Sequence, residues 1–248
     1  MFKSIRDRRV LITGASGGIG ACMVLLFAEH GAVVGVHYNQ GKEEADRLVR
    51  EIEKNGGRGA SFQADLTAEA GETLIPSFID RFGGIEVLIN NAGAVFGSMD
   101  FLELDIESWE KTFQLNARAP FFLARQAFSH MKDHGGGKII NISSISAKYG
   151  GSAKTMHYGA AKAALEAITV GMSRAGAPHD ILVNAIRGGF IDTPMHQKLG
   201  RGNLEKRIEM IPLKRAGKAE DVARMALFLA SEGGDFITGE ILTVAGGD

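Results

Sequence analysis

Arg9-Val10-Leu11-Ile12-Thr13-Gly14-Ala15-Ser16-Gly17-Gly18-Ile19-Gly20 is the stretch from which the rest of the chain can be read. Arg9 to Thr13 reads as a short buried strand, and the glycines end it at once. The apolar run that follows, to about His30, reads as a helix stopped by Gly31. A glycine-rich turn between a first strand and a first helix offers free N–H groups and a positive helix end to a dinucleotide pyrophosphate. Gly14, Gly18 and Gly20 have G-x-x-x-G-x-G spacing instead of G-x-G-x-x-G. A plain tight turn is the alternative, and the strand–glycine–helix context favours binding.

Working outward, Ala32–His37 is expected as a second strand, Gly59–Asp65 as a third and Ile85–Asn90 as a fourth. Lys138–Ile142, Ile181–Ile186 and Glu240–Val244 complete a set of seven. Helices are expected at 42–54, 67–82, 105–134, 155–175 and 219–231, with Pro76 a local irregularity. Asn116 followed by Pro120 is awkward for a helix interior, and predicts an opening in the backbone ladder there. Strands alternating with helices predict a parallel, doubly wound sheet. A closed barrel has similar length and alternation, but the glycine-rich turn and seven strands rather than eight favour the open sheet.

A dinucleotide's ribose commonly meets an acid at the end of the second strand. Here that place holds His37-Tyr38-Asn39-Gln40, with no carboxylate before Glu43. The missing acid removes a repulsion against a 2′-phosphate, and Lys42 could attract one; a solvated first helical turn explains Lys42 equally well. Asn90 and Asn91 are expected to tie neighbouring strands together.

Tyr158 and Lys162 are four apart, so on a helix they share a face. A phenol titrating near ~10 is a poor proton shuttle at neutral pH, and a nearby ammonium brings it toward the working range. Ser144, at a strand's carboxyl end, can aim a hydroxyl at a substrate oxygen.

The 248 residues are 45% hydrophobic and 23% charged, with net charge −1, which leaves no basic field for nucleic acid or an anionic membrane. No apolar run approaches the ~20 residues of a membrane span, and no apolar segment follows the charged first residues as in a signal peptide. The single cysteine, Cys22, forms no internal disulfide, consistent with a cytoplasmic protein. The 33 glycines cluster at element ends, where tight turns need them.

Thr13-Gly14-x-x-x-Gly18-x-Gly20, Asp65, Asn90-Asn91-Ala92-Gly93, Asn116, Ser144 and Tyr158-x-x-x-Lys162 stand in an order and spacing that resembles the short-chain dehydrogenase/reductase family. The likeness runs from about Arg8 to Gly247. It is nearest to the branch containing the 3-oxoacyl-(acyl-carrier-protein) reductases, which Ile211-Pro212-Leu213, Phe236–Gly239 and Gly246-Gly247 also resemble. The resemblance implies a single-domain α/β Rossmann fold over residues 1–248, with a seven-stranded parallel sheet, helices on both faces and a substrate lid at 194–217. It implies an oxidoreductase that interconverts a ketone and a secondary alcohol.

Among the residues it assigns, Gly14, Ser16, Gly18, Ile19 and Gly20 would line the pyrophosphate side of the cofactor. Tyr38, Asn39 and Lys42 would stand near the adenosine ribose, Asp65 and Leu66 at the adenine, and Asn91, Ala92 and Gly93 beside that ribose. Tyr158 would exchange a proton with the substrate oxygen while Ser144 bonds it. Lys162 would hold the nicotinamide ribose, Asn116 a water, and Gly189, Ile191 and Thr193 would meet the carboxamide. The expected cofactor is NADP, with NAD an alternative, and the expected partners are a small carbonyl or alcohol and further copies of the chain, as homotetramer or homodimer. A 3-oxoacyl-(acyl-carrier-protein) substrate and a nucleotide-binding regulator without chemistry remain as alternatives.

Several positions depart from the family's pattern, among them Gln40, which stands where some members carry Arg. Gly17 lacks the basic residue of many NADP-dependent members, and Ala245 replaces an aspartate. Gly188 replaces a proline: either it keeps a φ that proline could adopt, or it uses a positive φ that re-aims Ile191 and Thr193. Lys148 and Arg187 are expected as solvated loop side chains that could otherwise greet an anionic substrate.

Overall fold

A computed structural model describes residues 3–68, 73–97, 100–193 and 204–248, with the side chains of Lys3 and Leu204 left aside. Seven parallel strands form one sheet in the order β3-β2-β1-β4-β5-β6-β7. They are β1 (Arg9–Ile12), β2 (Val33–Tyr38), β3 (Arg58–Gln63), β4 (Val87–Asn90), β5 (Gly137–Ser144), β6 (Ile181–Gly188) and β7 (Ile241–Val244). β1, β2 and β4 are buried almost throughout because helices cover both faces, so these strands read as continuous apolar runs.

On one face lie α1 (Gly18–Glu29), α2 (Lys42–Lys54) and the helix Ala219–Ala230, presenting Met23, Phe27, Leu48, Ile52 and Ala226 to the sheet. On the other lie α3 (Leu74–Phe82) and α5 (Ala119–Asp133), presenting Ile75, Phe78, Leu123 and Met131. Each large side chain so buried contributes about 1.5–3 kcal/mol, which makes the two packed layers the main source of stability. The other α-helices among the described residues are α4 (Ile106–Phe113), α6 (Ile145–Tyr149), α7 (Met156–Gly176) and α8 (Leu204–Met210), with Ala219–Ala230 here α9.

Two expectations need correction. Of the helix assigned to 67–82, Thr67 and Ala68 are not helical, 69–72 lie outside the described residues and α3 covers Leu74–Phe82; Asp65 accepts bonds from the Thr67 N–H and hydroxyl. Pro76 is therefore no interior irregularity: it falls in the first turn, where a missing N–H costs nothing. The long helix assigned to 105–134 is three pieces, α4, a π-helical segment Gln114–Arg118 and α5. The opening is at Asn116, as the sequence suggests, and Pro120 lies in the first turn of α5 where it is tolerated. Of the expected lid, 194–203 lie outside the described residues; 204–210 form α8, which Arg207 ties to Asp248 at the chain's last residue.

Gly188 is the last residue of β6, paired with Ser144 and Val244. Its φ is outside the left-handed region, and a Cβ there would meet nothing nearer than 3.9 Å. The strand end thus does not use the positive φ that only glycine adopts easily.

Candidate active site

Strand order reverses between β1 and β4, which opens a crevice at their carboxyl ends. The glycine turn enters it from β1. Gly14 and Gly18 have φ of +60° and +55°, which L side chains rarely adopt. A Cβ on Gly20 would sit 2.5 Å from the Gly14 carbonyl oxygen, so helix and strand meet here only through glycine. Gly17 caps α1 without a side-chain hydrogen bond, and no atom lies within 4 Å of where its Cβ would be. The described residues thus leave room beside Gly17 at the amino end of α1, the place where a pyrophosphate would meet first-turn N–H groups.

Asn91 turns its amide away from the crevice. Its Nδ2 donates to the carbonyls of Thr13 (2.9 Å) and Gly14 (3.0 Å), while Thr13 Oγ1 accepts the N–H groups of Asn91 and Ala92. Asn90 Nδ2 donates to Asn141 Oδ1 (2.9 Å), so the amide pair ties β4 to both neighbours, as the sequence suggests. The side chain of Asn91 is thus engaged in holding the glycine turn.

His37, noticed in the sequence only as a residue that is not an acid, supports the same turn from β2. Its Nδ1 accepts the Gly14 N–H at 3.0 Å and its Nε2 faces the Ala64 carbonyl at 3.1 Å, which places the proton on Nε2. Burial pushes its pKa down to about 4, against the opposing pull of the Ala64 bond, so the ring stays neutral at physiological pH.

Further along the same edge, Ser16 Oγ lies against Gly41, and Tyr38 is buried while Asn39 is exposed. Lys42 Nζ donates to Asp46 at 2.7 Å, an exposed pair one helical turn apart that contributes little and leaves the lysine free to turn elsewhere. Asp65 is held below the usual carboxylate range by the Thr67 hydroxyl first and the Thr67 N–H second; Leu66 beside it is buried.

The chemical end of the crevice is built on β5 and α7. Ser144 ends β5 and its Oγ accepts the Ser146 N–H at 3.1 Å, capping α6. Tyr158 is half-buried, with the Lys162 ammonium 5.8 Å from its ring centre. Lys162 is 2% exposed, donates to the Ile142 carbonyl at 2.8 Å, and burial brings its pKa down to about 8. Asn116 Nδ2 donates to the carbonyls of Ala94 and Thr112, spanning the π-helical opening, while its buried Oδ1 has no hydrogen-bond partner among the described residues. A Cβ on Gly93 would lie 2.8 Å from that Oδ1 and 3.2 Å from Lys162 Nζ, so an orphaned acceptor and an ammonium converge on one spot.

Gly189 donates its N–H to Val244, Ile191 is buried and bridges to Gly217, and Thr193 comes within 3.8 Å of where a Gly18 Cβ would be. The β6 exit thus faces the glycine turn across the crevice. His157, unremarked in the sequence, anchors the loop after β4 by bonding the Phe96 carbonyl at 2.8 Å. Arg187 is not a solvated loop residue: it sits within β6 and pairs with Glu166 of α7 at 2.6 Å, so it is not free to greet a substrate. Lys148 is exposed and packs over the Tyr149 ring.

Such a crevice, with an anion-receptive turn at one end and a phenol beside a buried ammonium at the other, defines an oxidoreductase on a doubly wound sheet. The chain belongs to the short-chain dehydrogenase/reductase family: a family model described as Enoyl-(Acyl carrier protein) reductase matches residues 14–248. It is 34% identical to the 3-oxoacyl-[acyl-carrier-protein] reductase FabG of Thermotoga maritima over 96% of both chains. Among solved structures it is similar to a blue fluorescent protein from a metagenomic library in complex with NADPH, at 33% identity, 98% coverage of both chains and TM-score 0.93. A short-chain dehydrogenase from Burkholderia cenocepacia in complex with NADP is likewise similar, at 31% identity, 98% coverage of both chains and TM-score 0.93. No described helix is long and apolar enough to cross a membrane.

Proposed function

We propose that the protein is an NADP(H)-preferring reductase or dehydrogenase that interconverts a ketone and a secondary alcohol, with Tyr158 as proton donor and acceptor. The observation that carries this reading is the convergence of Lys162 Nζ and the orphaned Asn116 Oδ1 beside Gly93, on the helix face that also bears Tyr158. The residues present fit a nicotinamide dinucleotide, which when bound supplies or accepts the hydride. Gly14, Ser16, Gly18, Ile19 and Gly20 would receive its pyrophosphate, and Asp65, Leu66 and the backbone of Asn91, Ala92 and Gly93 its adenosine end. Gly189, Ile191 and Thr193 would meet the carboxamide.

Ser144 orients the substrate oxygen through its hydroxyl, which fixes that oxygen for proton exchange with Tyr158. Lys162 would favour the phenolate electrostatically and would hold the nicotinamide ribose when the cofactor is bound. The Asn116 Oδ1, buried and needing a donor, would hold a water that passes the proton on from Lys162. A panel of ketones, secondary alcohols and a 3-oxoacyl thioester, run with each nicotinamide cofactor and followed by absorbance, tests this. Cofactor binding without turnover on any of them would turn the reading toward a regulator.

The 3-oxoacyl thioester belongs in the panel because of the Thermotoga relative and because of a groove of about 410 Å³. That groove is lined by Phe101, Ile106, Trp109, Met156 and His157, the last two directly preceding Tyr158. Apolar lining of this kind suits an acyl chain.

The preference for NADPH rests on the absence of a carboxylate at 37–40, and draws support from the two relatives solved with NADPH and NADP. Fluorescence titration should give tighter binding of NADPH than of NADH, and Lys42→Ala should weaken NADPH alone, by about tenfold for one lost charged contact. Equal affinity, or tighter NADH, would reject the preference.

We also infer a homotetramer or homodimer in the cytoplasm. Phe113, Phe121 and Ile168 line an apolar hollow between α4, α5 and α7 that a second copy could cover. A monomer by light scattering at micromolar concentration would count against it.

A further inference from the structure

Three consecutive residues of β5 are each bonded to α7. Asn141 Nδ2 donates to Thr169 Oγ1 at 2.9 Å, the Ile142 carbonyl accepts from Lys162 Nζ at 2.8 Å, and Ser143 Oγ donates to Glu166 Oε1 at 2.7 Å. Positions 162, 166 and 169 lie on one face of the helix. A slip of the helix along the strand would therefore break all three bonds together. Glu166 is also held from β6, where Arg187 Nε donates to Oε1 at 2.9 Å and Nη2 to Oε2 at 2.6 Å. Arg187 Nη1 in turn reaches Thr243 of β7 at 3.5 Å. The two charged side chains are only 19% and 13% exposed, and their fork-to-fork geometry fixes both.

We propose that Glu166 is a positioning residue, which locks the helix carrying Tyr158 and Lys162 to the strand ending in Ser144 and to the strand leading into Ile191 and Thr193. The proposal rests on the catalytic reading of Tyr158, Lys162 and Ser144 given above. Glu166 itself touches neither phenol nor ammonium; it acts through Ser143 and Arg187. Ser143 immediately precedes Ser144, so the bond that fixes one sets the origin of the other. Where α7 lies along β5 decides how the Tyr158 oxygen stands to the Ser144 hydroxyl, and a misplacement of about 1 Å in such a pair can cost about a hundredfold in rate. Among the three helix residues bonded to β5, only Glu166 is also bonded to β6, so its loss removes one of the three ties to β5 together with the ion pair to β6.

The test uses the full chain and three variants: Glu166→Gln, Ser143→Ala and Glu166→Gln/Arg187→Gln. The double variant guards against misfolding caused by a guanidinium left without its partner. kcat, KM and cofactor Kd are measured with the best substrate of the panel and normalised to folded protein. Glu166→Gln should lower kcat by about tenfold with KM and cofactor Kd within about twofold, the split expected when geometry and not binding is lost. Ser143→Ala should fall in the same direction by about threefold, since it keeps the ion pair, and the double variant should not recover kcat. Unchanged kcat with a lowered melting temperature would make the network merely structural and overturn the proposal, as would a change in KM alone. Absence of turnover in the parent would defeat the catalytic reading instead. Hydrogen exchange of the 142–149 amides in Ser143→Ala then decides the lock: faster exchange supports it, and unchanged exchange overturns it.

Discussion

Tyr158→Phe should lower turnover by roughly a thousandfold, the middle of the range for a lost general acid, while cofactor affinity changes by less than about twofold. Phenylalanine keeps the ring and loses only the oxygen. The ring is half-buried and stands 5.8 Å from the Lys162 ammonium, a contact the substitution leaves in place. Packing is therefore preserved, and no charge is stranded. Most of the proposed cofactor contact would be made by the glycine turn after β1 and by the carboxyl ends of β2, β3 and β4, and not by the phenol oxygen. The two readouts should separate: absorbance of the nicotinamide reports the lost turnover, and fluorescence titration the retained binding. Residual turnover within tenfold of the parent would remove Tyr158 from the role of proton carrier. A parallel collapse of binding would mean that the phenol supports the cofactor and not the substrate.

The parts of this molecule that were legible in the sequence are those set by local pattern. The turn after β1 is readable because strand, glycines and helix are contiguous, and the sheet because each strand is a short apolar run closed by a turn residue. The break at Asn116 was also visible, since an asparagine and a proline four apart disagree with a helix interior whatever surrounds them. Pairings between distant residues were not visible. Arg187 and Glu166 are 21 positions apart and meet only because β6 lies beside β5 under α7. Nothing in the local composition around Arg187 distinguishes a buried partner from a solvated loop cation.

His37 was hidden for a related reason. Its position at the end of β2 is legible, but its role depends on the Gly14 N–H and the Ala64 carbonyl, brought together by pairing of β2 with β3 and by the crossover after β1. The start of α3 was misplaced because Pro76 reads as a disturbance when the helix is begun early, and as an ordinary first-turn residue when it begins at Leu74. Periodicity locates a helix well but not its first turn. Local side-chain bonds to the backbone, such as the one Asp65 accepts from the Thr67 N–H, compete with the helix there.

Lys162→Met should move activity and stability in opposite directions. Turnover should fall by about 10²–10³-fold, the effect of removing one preorganised charge or donor from a water-excluded site. Stability at pH 7 should rise. Burial brings the Lys162 ammonium from its ordinary 10.5 down to about 8, so the native state releases this proton earlier than the unfolded chain does. Below pH 8 both states carry the proton, and the penalty of the buried charge, about 3 kcal/mol for a shift of this size, is fully present. Between pH 8 and 10.5 the unfolded state binds more protons than the native state, so the parent gains stability as pH rises and the penalty is relieved. Methionine is likewise unbranched, one atom shorter than lysine, carries no charge and suits an enclosed site. It gives up the bond from Nζ to the Ile142 carbonyl, which offsets about 1.5–3 kcal/mol as a bond from a charged donor. The net gain at pH 7 should be about 1 kcal/mol, seen as a higher melting temperature, and it should shrink and reverse as pH approaches 10. Thermal denaturation of parent and variant from pH 6 to 10 cancels the titration of every other group. An advantage that stays constant to pH 10 would mean that the lysine is not a penalised ammonium in the native protein. Full turnover in the variant would separate Lys162 from the chemistry altogether. An active site held at the expense of stability is the expected condition of a buried charge retained for its function.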